Sequence, residues 1–213
     1  MPTLDSLTTL ISFIILIFSI ILHEIAHGYA ADALGDPTAR LSGRLTLNPI
    51  PHIDLFGSII VPALLLTSNA PIFFGWAKPV PYNPYNLKNQ RWGEAVVAAA
   101  GSITNLTIAL LFGLIVRFGT TLPESTLTIA AIICLTNLFL GLFNLIPFPP
   151  LDGFTVLRGT LPWGSTARVE RFARQVNSMG LGMTILFLFV FSYVFSGPFY
   201  NFVIFVFRNL IGA

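Results

Sequence analysis

His23-Glu24-Ile25-Ala26-His27 is the stretch of this sequence whose residue types and spacing can do chemistry outright. Histidines at i and i+4 share one helix face, so both imidazoles can ligate a single zinc ion. The intervening glutamate then reaches a water on that ion as general base. A catalytic zinc takes three protein ligands and keeps a fourth position open for water. The third is not His52 by default, because that histidine follows Pro49 and Pro51 in a loop, where a polar surface role serves as well. The carboxylates on offer are Asp32, Asp36, Asp54 and Asp152. Asp32 lies on the motif helix but well round from the His27 face, and Asp36 follows Gly35 at the helix end.

The elements that must position these groups are made for lipid. Of the 213 residues, 54% are hydrophobic and 9% are charged. A soluble domain carries about a quarter charged residues. The composition therefore predicts an all-α polytopic membrane protein, and the net charge of +2 gives no reason to expect nucleic acid. The lone Cys134, in an apolar run, excludes an intramolecular disulfide and a cysteine zinc site, and reads as a small hydrophobe. No Lys or Arg precedes the first apolar run, so that run is expected to be retained rather than cleaved as a signal. Inside it, three ionisable side chains within one short motif need a compensating partner, since each costs about 2.5–3.5 kcal/mol at membrane depth. A polar helix end that merely reaches the headgroups is the plainer reading, and it leaves the motif's spacing without a purpose.

Full spans are expected at about 7–34, 95–117 and 127–147, with a C-terminal span or hairpin at 180–212, where Ser196-Gly197-Pro198 interrupts the run. Ile53–Thr67 is short for a span and contains Gly57 and Pro62. If it dips into the membrane and returns, every Lys and Arg except Arg117 and Arg208 falls on one side, which the positive-inside rule makes cytoplasmic. The region at about 41–92 is thus expected to hold a re-entrant segment. It should also hold a small membrane-associated β element, from the alternation in Arg44-Leu45-Thr46-Leu47 and the aromatic-rich, proline-containing Phe73–Tyr82. Irregular backbone at that depth implies a cavity lined by protein or water. The loop carrying Arg158, Arg168, Arg171 and Arg174 returns to the cytoplasmic side, and the segment 144–158 brings Asp152 back beside His27. Three prolines unwind the backbone just before Asp152. A helix N-cap is its alternative role, but topology and the missing third ligand favour the metal.

With H-E-x-x-H in the first span and Asn144-Leu145-Ile146-Pro147-Phe148-Pro149-Pro150-Leu151-Asp152-Gly153 later, the chain resembles the site-2 protease family of intramembrane zinc metalloproteases, in the small bacterial and archaeal branch without a PDZ domain. The likeness extends to Asn48-Pro49 with His52-Ile53-Asp54, to Phe74-Gly75-Trp76-Ala77-Lys78-Pro79-Val80-Pro81, and to Ala100-Gly101-Ser102-Ile103-Thr104-Asn105. Ser102 departs from the proline usual in the family. The resemblance implies one zinc per chain on His23, His27 and Asp152, with Glu24 as base. It implies that Asn144 hydrogen-bonds the substrate carbonyl, and that Asn105 and His52 meet the substrate. The expected partners are single-span membrane proteins or membrane-inserted peptides within the lipid bilayer. The expected location is the cell membrane, with the active site nearer the cytoplasmic face.

Overall fold

The computed structural model describes residues 6–60, 67, 77–161 and 163–213. Helix α1 (Ser6–Ala33) carries the histidine motif. It stops where Gly35 adopts φ +110°. There Gly35 N donates to Asp32 O (3.1 Å) and Asp36 N to Ala31 O (2.9 Å), the paired bonds that close a helix on a left-handed residue. After an irregular connection, α2 (Gln90–Phe118) starts on an Asn89 cap, whose side chain accepts from Trp92 N at 3.0 Å. α3 (Glu124–Asn144) returns antiparallel after a tight turn, with Glu124 in its first turn, where the helix dipole favours an acid. Then come α4 (Asp152–Thr160), α5 (Trp163–Ser178), α6 (Leu181–Val190) and α7 (Ser196–Ile211).

Among the described residues, four helices are long and apolar enough to cross a membrane: Leu7–Ala33, Trp92–Phe118, Glu124–Asn144 and Leu186–Ile211. The chain is a multi-pass membrane protein. α2 packs on both α1 and α3, and α7 lies against α2 and α3. Cys134, Ala109, Leu138 and Val203 form the dry centre of that second interface, as expected for a space-filling cysteine. Arg117 Nη1 donates to Asn209 O at 3.0 Å, which sets the C-terminal ends of α2 and α7 side by side. Lys88 N donates to Leu34 O at 3.0 Å, so the connection between α1 and α2 leaves and returns at one point.

Two expectations change, and one choice left open is resolved. The C-terminal run, expected as a span or a hairpin, is continuous: a π-helical turn at Phe191–Phe195 joins α6 to α7, with Pro198 in the first turn of α7. The arginine-bearing stretch after Asp152 is the helices α4 and α5 rather than a loop. No strand occurs among the described residues, and Leu45-Thr46-Leu47 is a series of bends. Its backbone is tied down by a side chain, His52 Nε2 meeting Thr46 O at 2.9 Å. Residues 73–76 of the second expected strand lie outside the described residues, as do 61–66 of the expected re-entrant segment. Leu55–Ile60 forms a π-helical turn.

Candidate active site

One turn of α1 separates His23 from His27, and the rings meet edge to face with centroids 4.6 Å apart. Each is fixed from behind through Nδ1. His27 Nδ1 lies 2.7 Å from Val97 O, and a main-chain carbonyl can only accept, so Nδ1 carries the proton. His23 Nδ1 lies 2.6 Å from Asn105 Oδ1. Both Nε2 lone pairs therefore face forward, where Asp152 Oδ2 stands 2.9 Å from the first and 3.3 Å from the second.

Asp152 reaches this point from the start of α4. Leu145–Leu151 folds back so tightly that a Cβ on Gly153 would collide with Leu145 O, which accounts for glycine after the aspartate. The helix cap is Leu151, without a side-chain bond, so the Asp152 carboxylate is free for the imidazoles rather than spent on capping. Arg158, one helical turn and a half further on, pairs with Glu94 of α2 and ties α4 to the bundle.

The donor set fits a metal ion. Two nitrogen lone pairs and a carboxylate oxygen lie within 4.8 Å of one another. Asp152 Oδ2 is buried and finds no hydrogen-bond donor among the described residues. Three acceptors converging in an apolar setting are tenable only around a cation. Residue 101, a glycine, lets α2 pass close to both rings. A Cβ there would stand 2.6 Å from His27 Nε2 and 2.7 Å from His23 Nε2. Nitrogen and oxygen ligands of this kind suit zinc.

Glu24 lines the same cavity of about 520 Å³, with Tyr82, Val97, Asn144 and Asp152. Its Oε2 accepts from Val80 N at 2.8 Å. Val80 stands between two prolines, which have no N–H, so its amide is the single donor of Pro79-Val80-Pro81 and it goes to the glutamate. Arg44 holds this segment by donating from Nη2 to Lys78 O (2.7 Å) and Pro79 O (3.3 Å), while Lys78 N donates to His52 O at 2.8 Å. Spacing gave no hint of either the Val80 amide or Arg44. The signal, visible only with the fold in hand, was a lone buried-side arginine opposite a proline-flanked valine.

Asn144 lies in the cavity wall, with Nδ2 donating to Leu140 O at 3.1 Å, and keeps its second amide hydrogen for another acceptor. Two residues expected to meet substrate do something else. Asn105 is 0% exposed, behind His23, and holds that ring. His52 is 3% exposed and braces the loop through Thr46 O, away from the cavity lining. The other carboxylates are also engaged elsewhere. Asp32 pairs with Arg40 at 3.1 Å, and Asp54 Oδ1 accepts from Gly57 N at 2.7 Å. Asp36 accepts from Thr38, Asn83 and Asn86.

Known proteins resemble this chain along most of its length. "Peptidase family M50" matches residues 114–189, the stretch that includes Asn144 and Asp152. "Putative zinc metalloprotease YwhC" of Bacillus subtilis (strain 168) is 39% identical over 189 residues, which cover 83% of this chain and 78% of the relative. "Putative zinc metalloprotease Rip2" of Mycolicibacterium smegmatis is 28% identical over 142 residues, 66% of this chain and 53% of that protein. No solved structure gives a significant match.

Proposed function

This chain belongs to peptidase family M50, whose members depend on zinc, and from that premise we propose that it is an intramembrane endopeptidase cutting peptide bonds within or near transmembrane segments of its substrates. The observation that carries the reading is the convergence of His23 Nε2, His27 Nε2 and Asp152 Oδ2 on one point deep in a hydrophobic bundle. His23 lies ten residues before the end of α1, about 15 Å along the axis at 1.5 Å per residue. That depth falls inside a hydrocarbon layer about 30 Å thick.

Zinc held there would supply a Lewis acid and lower the pKa of a water ligand to about 7. Glu24, steadied through Oε2 by Val80, takes a proton from the attacking water on its other oxygen and returns it to the leaving nitrogen. Asn144 offers its free amide hydrogen to the substrate carbonyl as negative charge develops there. Ile20, Leu140, Phe143 and Phe187 give the cavity apolar walls, suited to a substrate segment that arrives from lipid. Such a segment must unwind before its amide is reachable, because helical hydrogen bonds cover it. The connection between α1 and α2 dips into the membrane and returns on the side where it left, with the site nearer the cytoplasm. Its common entry and exit at Leu34 and Lys88 supports this.

The test is a membrane-reconstituted reaction on single-span substrates, with both product fragments sized by mass spectrometry. Cuts inside the apolar segment, toward its cytoplasmic end and faster when Gly, Pro or Asn weakens that helix, are expected. Cuts confined to soluble flanks and indifferent to helix breakers would make this a surface zinc peptidase instead.

A further inference from the structure

Behind His23 the polar contacts continue through three helices. Asn105 Nδ2 of α2 donates to Asn137 Oδ1 of α3 at 2.8 Å and, at a longer 3.3 Å, to Ser19 O of α1. Asn137 Nδ2 in turn donates to Ser19 Oγ and to Ile133 O, both at 2.9 Å. All of it is sealed: Asn137 is 1% exposed and Ser19 4%. Two carboxamides and a hydroxyl inside a membrane bundle are costly unless each group is satisfied, and here they satisfy one another.

A carboxamide is nearly symmetric in shape, so its partners alone decide which end is oxygen. The orientation here starts from a group that cannot turn over. Ile133 O is a main-chain acceptor, so the Asn137 nitrogen must face it. That leaves Asn137 Oδ1 toward Asn105, and Asn105 must answer with its nitrogen. Asn105 Oδ1 is then left for His23 Nδ1, which must carry the proton. The last consequence falls on the far side of the ring, where the Nε2 lone pair faces Asp152 Oδ2 at 2.9 Å. Were Asn105 reversed, its NH₂ would face Nδ1, the proton would sit on Nε2, and one metal ligand would be gone.

We propose that Asn137 is a positioning residue of the metal site: acting through Asn105, it selects the His23 tautomer able to bind zinc. The inference rests on the metal reading above and concerns a residue that touches neither metal nor substrate. It makes a clear distinction between two substitutions. Asn137→Leu keeps the volume but removes the acceptor for Asn105. Asn137→Asp, neutral when buried among apolar helices, keeps a carbonyl oxygen for Asn105 and an O–H for Ile133 O or Ser19 Oγ.

The experiment measures zinc affinity of the full chain in lipid nanodiscs by chelator competition, with the absorption spectrum of the cobalt(II)-substituted protein as a second readout. Wild type, Asn137→Leu, Asn137→Asp and His23→Ala are compared, together with the melting temperature of each metal-free protein. Asn137→Leu is expected to bind zinc about tenfold more weakly, the lower end for an outer partner of a ligand. Its cobalt spectrum should change, and its metal-free melting temperature should fall, since the buried Asn105 amide loses an acceptor. Asn137→Asp should restore both affinity and spectrum. Wild-type affinity and spectrum in Asn137→Leu would overturn the proposal, as would equal losses in both variants that track their melting temperatures. If His23→Ala binds zinc as wild type does, the metal reading itself fails, which is a separate outcome.

Discussion

The imidazoles of His23 and His27 and the amide of Val80 face one cavity, yet they are held there by opposite means. The metal side is borne on regular helices. The ligands project from α1 and α4, and each histidine's backing partner is a group on α2 at a fixed helical position, Val97 O or Asn105 Oδ1. The Val80 side is irregular chain whose backbone is satisfied by side chains: Arg44 takes two carbonyls and Glu24 takes the amide. In the proposed mechanism the helices supply rigid placement for the ion, and the connection supplies the wall against which the base is aimed. Changes on the first side should therefore remove metal and activity together. Changes on the second should lower activity and leave the metal in place.

Glu24 stands where the two regions meet, and it should show the largest effect. Glu24→Gln keeps an oxygen for the Val80 amide and touches no ligand, so zinc content should be unchanged. Turnover should fall by about 10²–10⁴-fold, the usual worth of a general base. Metal analysis beside a cleavage assay checks both halves, and a variant that loses zinc would make Glu24 part of the ligand set. Asp152→Ala, by contrast, should lose zinc.

Gly101→Ala sharpens the contrast from the helical side. Alanine favours the helix by about 1 kcal/mol over glycine, so α2 itself should stay helical. Its Cβ would nevertheless stand within 2.7 Å of both Nε2 atoms, so the two rings would have to shift. A folded protein with zinc affinity reduced by tenfold or more is expected from chelator competition. Unchanged affinity would mean the ion sits elsewhere.

Arg44→Met tests the other side. It removes the charged donor to Lys78 O and Pro79 O, a bond worth about 1.5 kcal/mol, and frees the segment that steadies Glu24. Turnover should fall about tenfold at unchanged zinc content. Loss of zinc in this variant would join the two regions into one unit.

The same division explains what could be read from the chain alone. A helix has a fixed period, so His23 and His27 declare a shared face by their spacing, and apolar runs declare the spans that carry them. Asp152 was reachable because its span had to return to the side of His27. Asn105 was recognised as part of a motif, but its role was misplaced, since only packing shows that its amide lies behind the ring rather than before it. Asn137 carried no signal, because one asparagine in an apolar run has no spacing partner within its own helix. The role of Arg44 escaped for a related reason: its acceptors are main-chain carbonyls dozens of residues away, and every residue type has those. The π-helical turn that keeps Phe191–Phe195 continuous with its neighbours runs against the local reading of Ser-Gly-Pro as a break, and the packing of Phe191 and Phe199 on Phe143 accounts for it.

Asp36 should give the smallest effect on catalysis, and it is the sharpest probe of the irregular region alone. It is 0% exposed, and its carboxylate gathers Thr38 N and Oγ1, Asn86 Nδ2 and Asn83 N, closing the connection onto the end of α1. Burial pushes its carboxyl up, and these donors more than reverse that, leaving it below the ordinary aspartate value. The linkage follows from that sign. A group whose pKa is lower folded than unfolded stabilises the fold above the unfolded value, about 3.9, and that contribution fades as pH falls through the folded value. Asp36→Ala leaves the half-buried Asn83 amide without its acceptor, at a cost of about 1 kcal/mol. At neutral pH the variant should melt at a lower temperature than wild type while keeping its zinc. Because wild type loses the Asp36 contribution in acid and the variant has none to lose, the gap between them should narrow below about pH 4. Melting curves at pH 7, 5 and 3.5 in the same lipid decide it. A gap that stays constant across the series would mean that the side chain matters there for its shape and not for its charge.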